Sequence, residues 1–272
     1  MTAVAWAVLS GSVVVGAAAA WGHFEAGWVR LRTLDVPIPG LPEQLAGLRI
    51  VHLSDFHLGF PSRGRRAVEK AVAWVEAIRP DVVFVTGDLV SRPRGERMLV
   101  DLLERLPRCY AVLGNHDVAE TRDPFSRAAA PTDFETAVLL VDEASTFEVS
   151  GCRIQVVGVD PRSYKAGRSE PWRLADPDAG LRILLCHYPT VLPRVPPGSF
   201  HLVLAGHMHD GQIALPHLRG KLRLAHPAAP FWSGLYTRGE TTMHVSPGLG
   251  TTFVPFRFFA RPEATELVLQ PA

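Results

Sequence analysis

Five short polar clusters carry the side chains of this 272-residue chain that could do chemistry. They are Asp55-Phe56-His57, Gly87-Asp88, Gly114-Asn115-His116-Asp117, His187, and Gly206-His207-Met208-His209. Together they offer carboxylates, imidazoles and one amide oxygen. That set suits borderline divalent cations such as Mn, Fe or Zn and lacks the thiolates that structural zinc prefers. One Asp or His at a strand end is ordinarily a turn former or a satisfied polar residue, so Asp-x-His is weak by itself. Gly-Asn-His-Asp places three ligand types behind a glycine that permits a tight backbone, and Gly-His-x-His follows an apolar run. Five such clusters in one order exceed what turn chemistry supplies.

The elements that must position these clusters are legible in the hydrophobic pattern. Leu48–Leu53 reads as a strand. Val68, Ala71, Val72, Val75 and Ile78 recur at helical spacing until Pro80. Val82–Val85 is a continuous apolar run, as in a buried strand. Met98, Leu99, Leu102, Leu103 and Leu106 give a second helix, and Cys109–Leu113 a third strand. This βαβ rhythm predicts a mostly parallel sheet, and ligands of open α/β sheets gather outside the carboxyl ends of strands. The second half offers short strands at Thr146–Val149, Arg153–Val157, Arg182–Cys186, Leu202–Leu204, Thr242–Val245 and Glu266–Leu269. The expected fold is a four-layer α-β-β-α sandwich of two mixed sheets with flanking helices. Leu215–Tyr236, rich in Pro and aromatics, is expected to be a long functional loop.

Composition excludes several classes. With 28 Lys+Arg against 27 Asp+Glu and 47% hydrophobic residues, neither wholesale disorder nor nucleic-acid coating is expected. Three widely spaced cysteines fit neither a disulfide framework nor a Cys-rich zinc site. Met1–Gly22 has no charged residue and Ala3–Trp21 is almost wholly apolar or small, long enough as a helix to span about 30 Å of hydrocarbon. Residues 1–33 are expected as a membrane anchor, with a cleaved signal peptide and a buried helix as the alternatives. Arg30 and Arg32 after the run favour a cytoplasmic carboxyl side. Residues 34–47, with Pro37, Pro39, Gly40, Pro42 and Gly47, read as a linker, leaving 48–272 as the folded domain.

The ordered pattern D-x-H, G-D, G-N-H-[DE], H and G-H-x-H resembles the calcineurin-like metallophosphoesterase superfamily from about Leu48 to the carboxyl end. Ser54–Gly59, Gly206–Gln212 and Gly248-Leu249-Gly250 are similar to the bacterial membrane-associated branch of YaeI and YkuE phosphodiesterases. That branch commonly has Gly where Asp210 stands, so the extra carboxylate bears on substrate preference. The resemblance implies two divalent cations, one held by Asp55, His57, Asp88 and His209, the other by Asp88, Asn115, His187 and His207. Asp88 would bridge them, and a water activated between them would attack phosphorus. His116 inherits the role of stabilising the transferring phosphoryl group or protonating the leaving group. Asp117 either fixes its tautomer or caps a helix.

The implied activity is hydrolysis of a phosphodiester or pyrophosphate, with a lipid-linked substrate suggested by the amino-terminal segment and the apolar loop. A phosphomonoesterase, a non-catalytic metal-binding module and a nuclease are the alternatives. No protein partner is inferred. Outside the clusters, His52 is expected in the core and Cys186 on the opposite strand face from His187. His23, His201, His217, His226 and His244 lack a partner cluster. Arg63, Arg65, Arg66, Arg92, Arg94 and Arg97 form either a solvated face or a phosphate-steering patch. Ile213, Leu215, Phe231, Trp232 and Tyr236 either line a substrate groove or pack in the core.

Overall fold

Each apolar run of the first half becomes a strand, or a helix laid on strands. In a computed structural model describing residues 3–127, 134, 136–218 and 220–272, the order begins α1 (Ala3–Glu25), β1 (Arg30–Ile38), β2 (Arg49–Leu53), α2 (Gly64–Ile78), β3 (Val82–Thr86), α3 (Glu96–Leu103), β4 (Cys109–Val112) and β5 (Ala137–Leu139). It continues with β6 (Glu143–Val149), β7 (Cys152–Gly158), α4 (Pro161–Lys165), β8 (Leu181–Leu185), β9 (Leu202–Ala205), β10 (Ala214–His217), β11 (Gly220–Arg223), β12 (Gly234–Arg238), β13 (Thr241–Val245) and β14 (Glu263–Pro271).

Two mixed six-stranded sheets result. The first runs β1-β14-β2-β3-β4-β5 and the second β12-β13-β9-β8-β7-β6; β10 and β11 stand apart as a hairpin. Strands β2 to β5 are mutually parallel, as are β7, β8, β9 and β13. The period-2 alternation of side chains sorts β3 into two cores. Val82 and Phe84 face the second sheet, whereas Val83 and Val85 face α2 and α3. A fully buried side chain the size of Phe84 contributes roughly 1.5–3 kcal/mol. The outer face of the second sheet carries a third core around Leu184, Cys186, Leu192 and Val203. Its helical cover is thin: α4 has five residues, and the rest is 3-10 turns at Pro171–Leu174 and Pro189–Arg194.

Three expectations need correction. The linker expected over 34–47 is in part strand β1, paired parallel with β14 from Arg30↔Glu263 to Ile38↔Pro271. Its Pro37 is tolerated because β1 is an edge strand. The loop expected over Leu215–Tyr236 contains the β10–β11 hairpin and most of β12. Residues 3–25 do form a helix, with side chains described from Ser10 onward, but among the described residues no helix is long and apolar enough to cross a membrane. The last turns of α1 dock on the body: Arg257 donates its backbone N–H to the Gly22 carbonyl, and buried Glu25 accepts from the backbone N–H of Ala260.

Candidate metal centre

Five parallel strands end in the five clusters, and all five ends meet on one side of the sandwich. β2 delivers Asp55 and His57, β3 Asp88, β4 Asn115 and His116, β8 His187, and β9 His207 and His209. The chain turns sharply to do so. Asp55, His57, Asp88, His207 and His209 all have positive φ, between 46° and 73°. Such backbone costs about 1–3 kcal/mol per residue and is kept where neighbours hold it in place. Here the ladder continues past the strand ends, with Asp55 N–H donating to the Gly87 carbonyl and His57 N–H to the Asp88 carbonyl, both at 2.9 Å. Gly248-Leu249-Gly250 closes over them: Leu249 and Gly250 donate to the carbonyls of Ser54 and Asp55.

The glycines in these motifs serve close approach. Gly114 and Gly206 do not have positive φ. A methyl group on Gly114 would overlap Asp88, and one on Gly206 would overlap Ser54 and the Asp55 carboxylate. Gly87 meets both needs, with φ of 82° and a Cβ position only 2.7 Å from His187 Nδ1.

Two groups of ligand atoms share Asp88: Asp55, His57, Asp88 and His209, and Asp88, His187 and His207, each within 4.8 Å of one another. His57 Nε2 lies 3.1 Å from His209 Nε2 and 3.5 Å from Asp88 Oδ2. His187 Nε2 lies 3.3 Å from Asp88 Oδ2, 3.1 Å from His207 Nδ1 and 3.2 Å from Asn115 Oδ1, which brings the amide oxygen into the second group. The tautomer of His187 follows from its other nitrogen. Nδ1 is 2.8 Å from the Thr86 carbonyl, an acceptor only, so Nδ1 carries the proton and Nε2 turns a lone pair inward. Imidazole nitrogens and carboxylate oxygens facing one another at 3.1–3.5 Å are a donor set that a divalent cation satisfies.

The charges follow the same logic. Burial opposes ionisation of Asp55 and Asp88, yet His209 beside the first and His187 beside the second hold both below the usual carboxylate range. Burial keeps His57 below its ordinary value, and burial with His187 pushes His207 down to about 3. Burial also works against charging His187, but the Asp88 and Asp55 carboxylates prevail and raise it to about 9.

His116 stands beside the ligands without joining either group, its ring 4.6 Å from that of His57. Asp117 does not orient it: that carboxylate accepts from the backbone N–H groups of Leu89, Val90 and Gly114, tying two site loops together. Burial and the Asp88 charge raise Asp117 to about 7. The orienting group is Asp123, which the motif pattern missed. His116 Nδ1 lies 2.8 Å from Ser126 Oγ, and Ser126 donates to Asp123 Oδ2 at 3.1 Å. Nothing in the spacing of Asp123 and Ser126 marks them, because the loop after His116 sets the contact.

A cavity of about 480 Å³ opens over the two groups, with Asp88, Asn115, His207 and His209 among its lining. His226, which has no partner cluster in the sequence, lines the cavity with its ring 5.2 Å from that of His207 and tilted 50° to it. The expected arginine patch lies elsewhere: Arg65 pairs with Glu69, Arg92 reaches the Phe125 carbonyl and Arg94 that of Gly59. Arg122 and Lys165 line the cavity instead. Asp210 is turned away from the ligands, neutralised by Lys221 at 2.7 Å and Arg223 at 2.8 Å. Of the five apolar residues after the last motif, Ile213 lines the cavity, Phe231 and Tyr236 pack on the outer core, Trp232 lies under Arg223 and Leu215 is exposed. His52 is buried against His244 and Thr86. Arg257, outside any motif and fully buried, places its guanidinium 3.1 Å from His209 Nδ1 and donates to the Gly250 and Ala260 carbonyls.

Comparison with known proteins agrees with this geometry. A transmembrane protein with metallophosphoesterase domain from Danio rerio is 33% identical over 258 residues, 88% of this chain and 57% of that protein. The chain thus spans little more than half the length of that relative. The metallophosphoesterase YkoQ of Bacillus subtilis is 29% identical over 250 residues, covering 87% of this chain and 89% of that one. A UDP-2,3-diacylglucosamine pyrophosphatase of Chlamydia muridarum is 36% identical over 102 residues, 36% of this chain and 31% of that one. Residues 48–211, which hold every ligand-bearing strand end, match the calcineurin-like phosphoesterase family, and the chain belongs to it.

Proposed function

We propose that this chain hydrolyses a phosphodiester or pyrophosphate, with two divalent cations of the Mn, Fe or Zn class held across Asp88. The observation that carries this reading is the sharing of one carboxylate by two ligand groups whose remaining members are imidazoles and a single further carboxylate. Asp55, His57, Asp88 and His209 would hold one cation, and Asp88, Asn115, His187 and His207 the other. Two such ions supply the charge that neutralises phosphoryl oxygens and lowers the pKa of an attacking water.

The chain's own residues do the rest. Asp88 is braced by the His116 backbone N–H on Oδ1 at 2.8 Å, and Asp55 by that of His207 at 3.2 Å, so both carboxylates are oriented before substrate arrives. His116 donates Nδ1–H to Ser126, and its Nε2, 3.0 Å from Thr121 Oγ1, is the nitrogen that would carry a proton to the leaving-group oxygen. Arg122 adds positive charge at the cavity wall, where Lys165 is paired with Glu120 at 3.2 Å. The name of the Chlamydia relative supports the pyrophosphate half of the proposal. A membrane location is part of the same reading. Val13, Val14 and Val15 on α1 are 64–70% exposed, and the Danio relative is named a transmembrane protein. Arg30 and Arg32 after the apolar run support a cytoplasmic side for the site in that reading.

The test is hydrolysis of bis(p-nitrophenyl) phosphate and p-nitrophenyl phosphate by the full chain, stripped with chelator and reloaded with Mn²⁺, Zn²⁺ or Mg²⁺. Diester cleavage should return with metal and fall on the order of 10³-fold in Asp88→Ala. Equal rates in wild type and Asp88→Ala would overturn the mechanism. Cleavage of the monoester alone would move the substrate to phosphomonoesters.

A further inference from the structure

The β10–β11 hairpin leaves the metal centre directly after His209-Asp210-Gly211-Gln212 and joins neither large sheet. Its register pairs Leu215 with Leu222 and Ala214 with Arg223, and Leu224 N–H donates to the Ile213 carbonyl one step inward. Alternation therefore puts Ile213, Leu215, Leu222 and Leu224 on one face and Ala214, Pro216, Lys221 and Arg223 on the other. The second face is satisfied, since Lys221 and Arg223 both close on Asp210.

The first face is left uncovered. Leu215, Leu222 and Leu224 are 47%, 54% and 55% exposed, and Leu218 at the turn is wholly exposed. Single exposed leucines are ordinary, but a contiguous apolar strip bordered by charge marks a binding surface. This strip runs into the site. At its inner end Ile213 and Leu224 line the 480 Å³ cavity together with Phe253 and Val254, while Arg122 lines the same cavity beside a Lys165–Glu120 ion pair at 3.2 Å. One space thus has candidate ligand groups for a phosphoester, the Arg122 guanidinium for a charged headgroup and an apolar exit about 7 Å long, the two-residue step from the Ile213/Leu224 pair to the Leu215/Leu222 pair.

We infer that the apolar face of the β10–β11 hairpin holds the hydrocarbon chain of the substrate, so that the phosphoester cleaved here is an amphiphile with its chain lying outward along Ile213, Leu224, Leu215 and Leu222. The inference rests on the proposed hydrolysis and narrows its substrate class. Continuity with the cavity selects the substrate's own chain as occupant rather than a bilayer surface, which would touch the tip first and would not reach Ile213.

The experiment uses the full metal-loaded chain and a series of p-nitrophenyl alkyl phosphodiesters, methyl, butyl and octyl, below their micellar concentrations. For wild type kcat/KM should climb by up to about fourfold per methylene. In the Leu215→Gln/Leu222→Gln double variant the slope should flatten, so the ratio of wild type to variant grows at least about tenfold from methyl to octyl. Both side chains are exposed, and circular dichroism checks that the fold is kept. Calorimetric binding of methyl phosphate and n-octyl phosphate to the same two proteins gives a readout that needs no turnover. If no diester is cleaved, the hydrolytic reading falls, while octyl phosphate binding more tightly to wild type than to the variant would still uphold the chain track. Rates and affinities independent of chain length would overturn it. So would a variant that keeps the slope but loses binding to phosphatidylglycerol vesicles, since the strip would then be a membrane contact.

Discussion

The two sheets bring different chemistry to one site. The first sheet supplies both buried carboxylates, Asp55 and Asp88, the Asn115 amide, His57 and His116; the second supplies only imidazoles, His187, His207 and His209. Their outer covers differ as well, a 15-residue helix and an 8-residue helix against one 5-residue helix and proline-started 3-10 turns. The difference teaches that neither half is a metal site. The first half alone would bury two carboxylates with His57 as their one imidazole ligand, and buried charge without enough partners is costly; the second alone would present three rings and no carboxylate. The centre exists only when the sheets pack, and Asp88 is where they meet.

The comparison breaks most severely at the glycines that let the halves touch. Gly206→Ala drives a methyl group from the second sheet into the Asp55 carboxylate of the first. The expected outcome is loss of metal from the Asp55 group, a fall in activity on the order of 10²–10³-fold and about 1–3 kcal/mol of destabilisation. Metal stoichiometry and a urea melt check it; a full metal complement would show that the approach is looser than the coordinates place it.

A smaller effect sharpens the part played by the first sheet's loops. Asp123→Asn should lower kcat roughly tenfold with metal content unchanged, against about 10²–10⁴-fold for His116→Ala. Burial lowers the pKa of His116, and Asp88 and Asp123 oppose that fall. Removing the Asp123 charge therefore drops it further, and the alkaline limb of the pH–kcat profile, where the general acid is lost, should move to lower pH. A rate reduced equally at all pH values would mean that Asp123 only braces the loop.

The smallest effect concerns the far end of the second sheet, where His201 precedes β9 and accepts the Arg182 backbone N–H on Nδ1 at 3.0 Å. Burial and the Arg182 guanidinium push it down to about 4. The unfolded chain, with His near 6.5, then binds more protons between those values, so stability is full above about pH 6.5 and lost as pH falls toward 4. With partial solvent screening the loss is about 1–2 kcal/mol. His201→Gln should flatten that portion of the curve in chelated protein, read as the difference between wild-type and variant urea midpoints at pH 7 and pH 4.5. Identical pH dependence would assign the acid sensitivity elsewhere.

Much of this was legible before any coordinates. The strand ends could be located because continuous β-branched runs stop where polar clusters begin, as at Val82–Val85 before Gly87-Asp88. The linker reading failed because Pro37 argues against a strand in general but not against an edge strand, and edge position is a tertiary fact. Adjacency along the chain lets Asp117 either fix the His116 tautomer or cap a helix, whereas its carboxylate accepts from three backbone N–H groups of two loops. Asp210 reads in the sequence as an extra carboxylate bearing on substrate preference, whereas the hairpin brings Lys221 and Arg223, more than ten residues later, back onto it.

The sequence by itself determined the ligand inventory, its order and the family, because residue type dictates donor chemistry and hydrophobic period dictates where strands stop. Only the tertiary structure decided which candidate donors group together, which carboxylate stands behind His116 and which face of the hairpin is bare. Those depend on contacts between residues distant in the chain, Asp88 with His187 and Asp123 with Thr252 among them. Such contacts are chosen by how two sheets and their loops pack, a choice that local spacing does not encode.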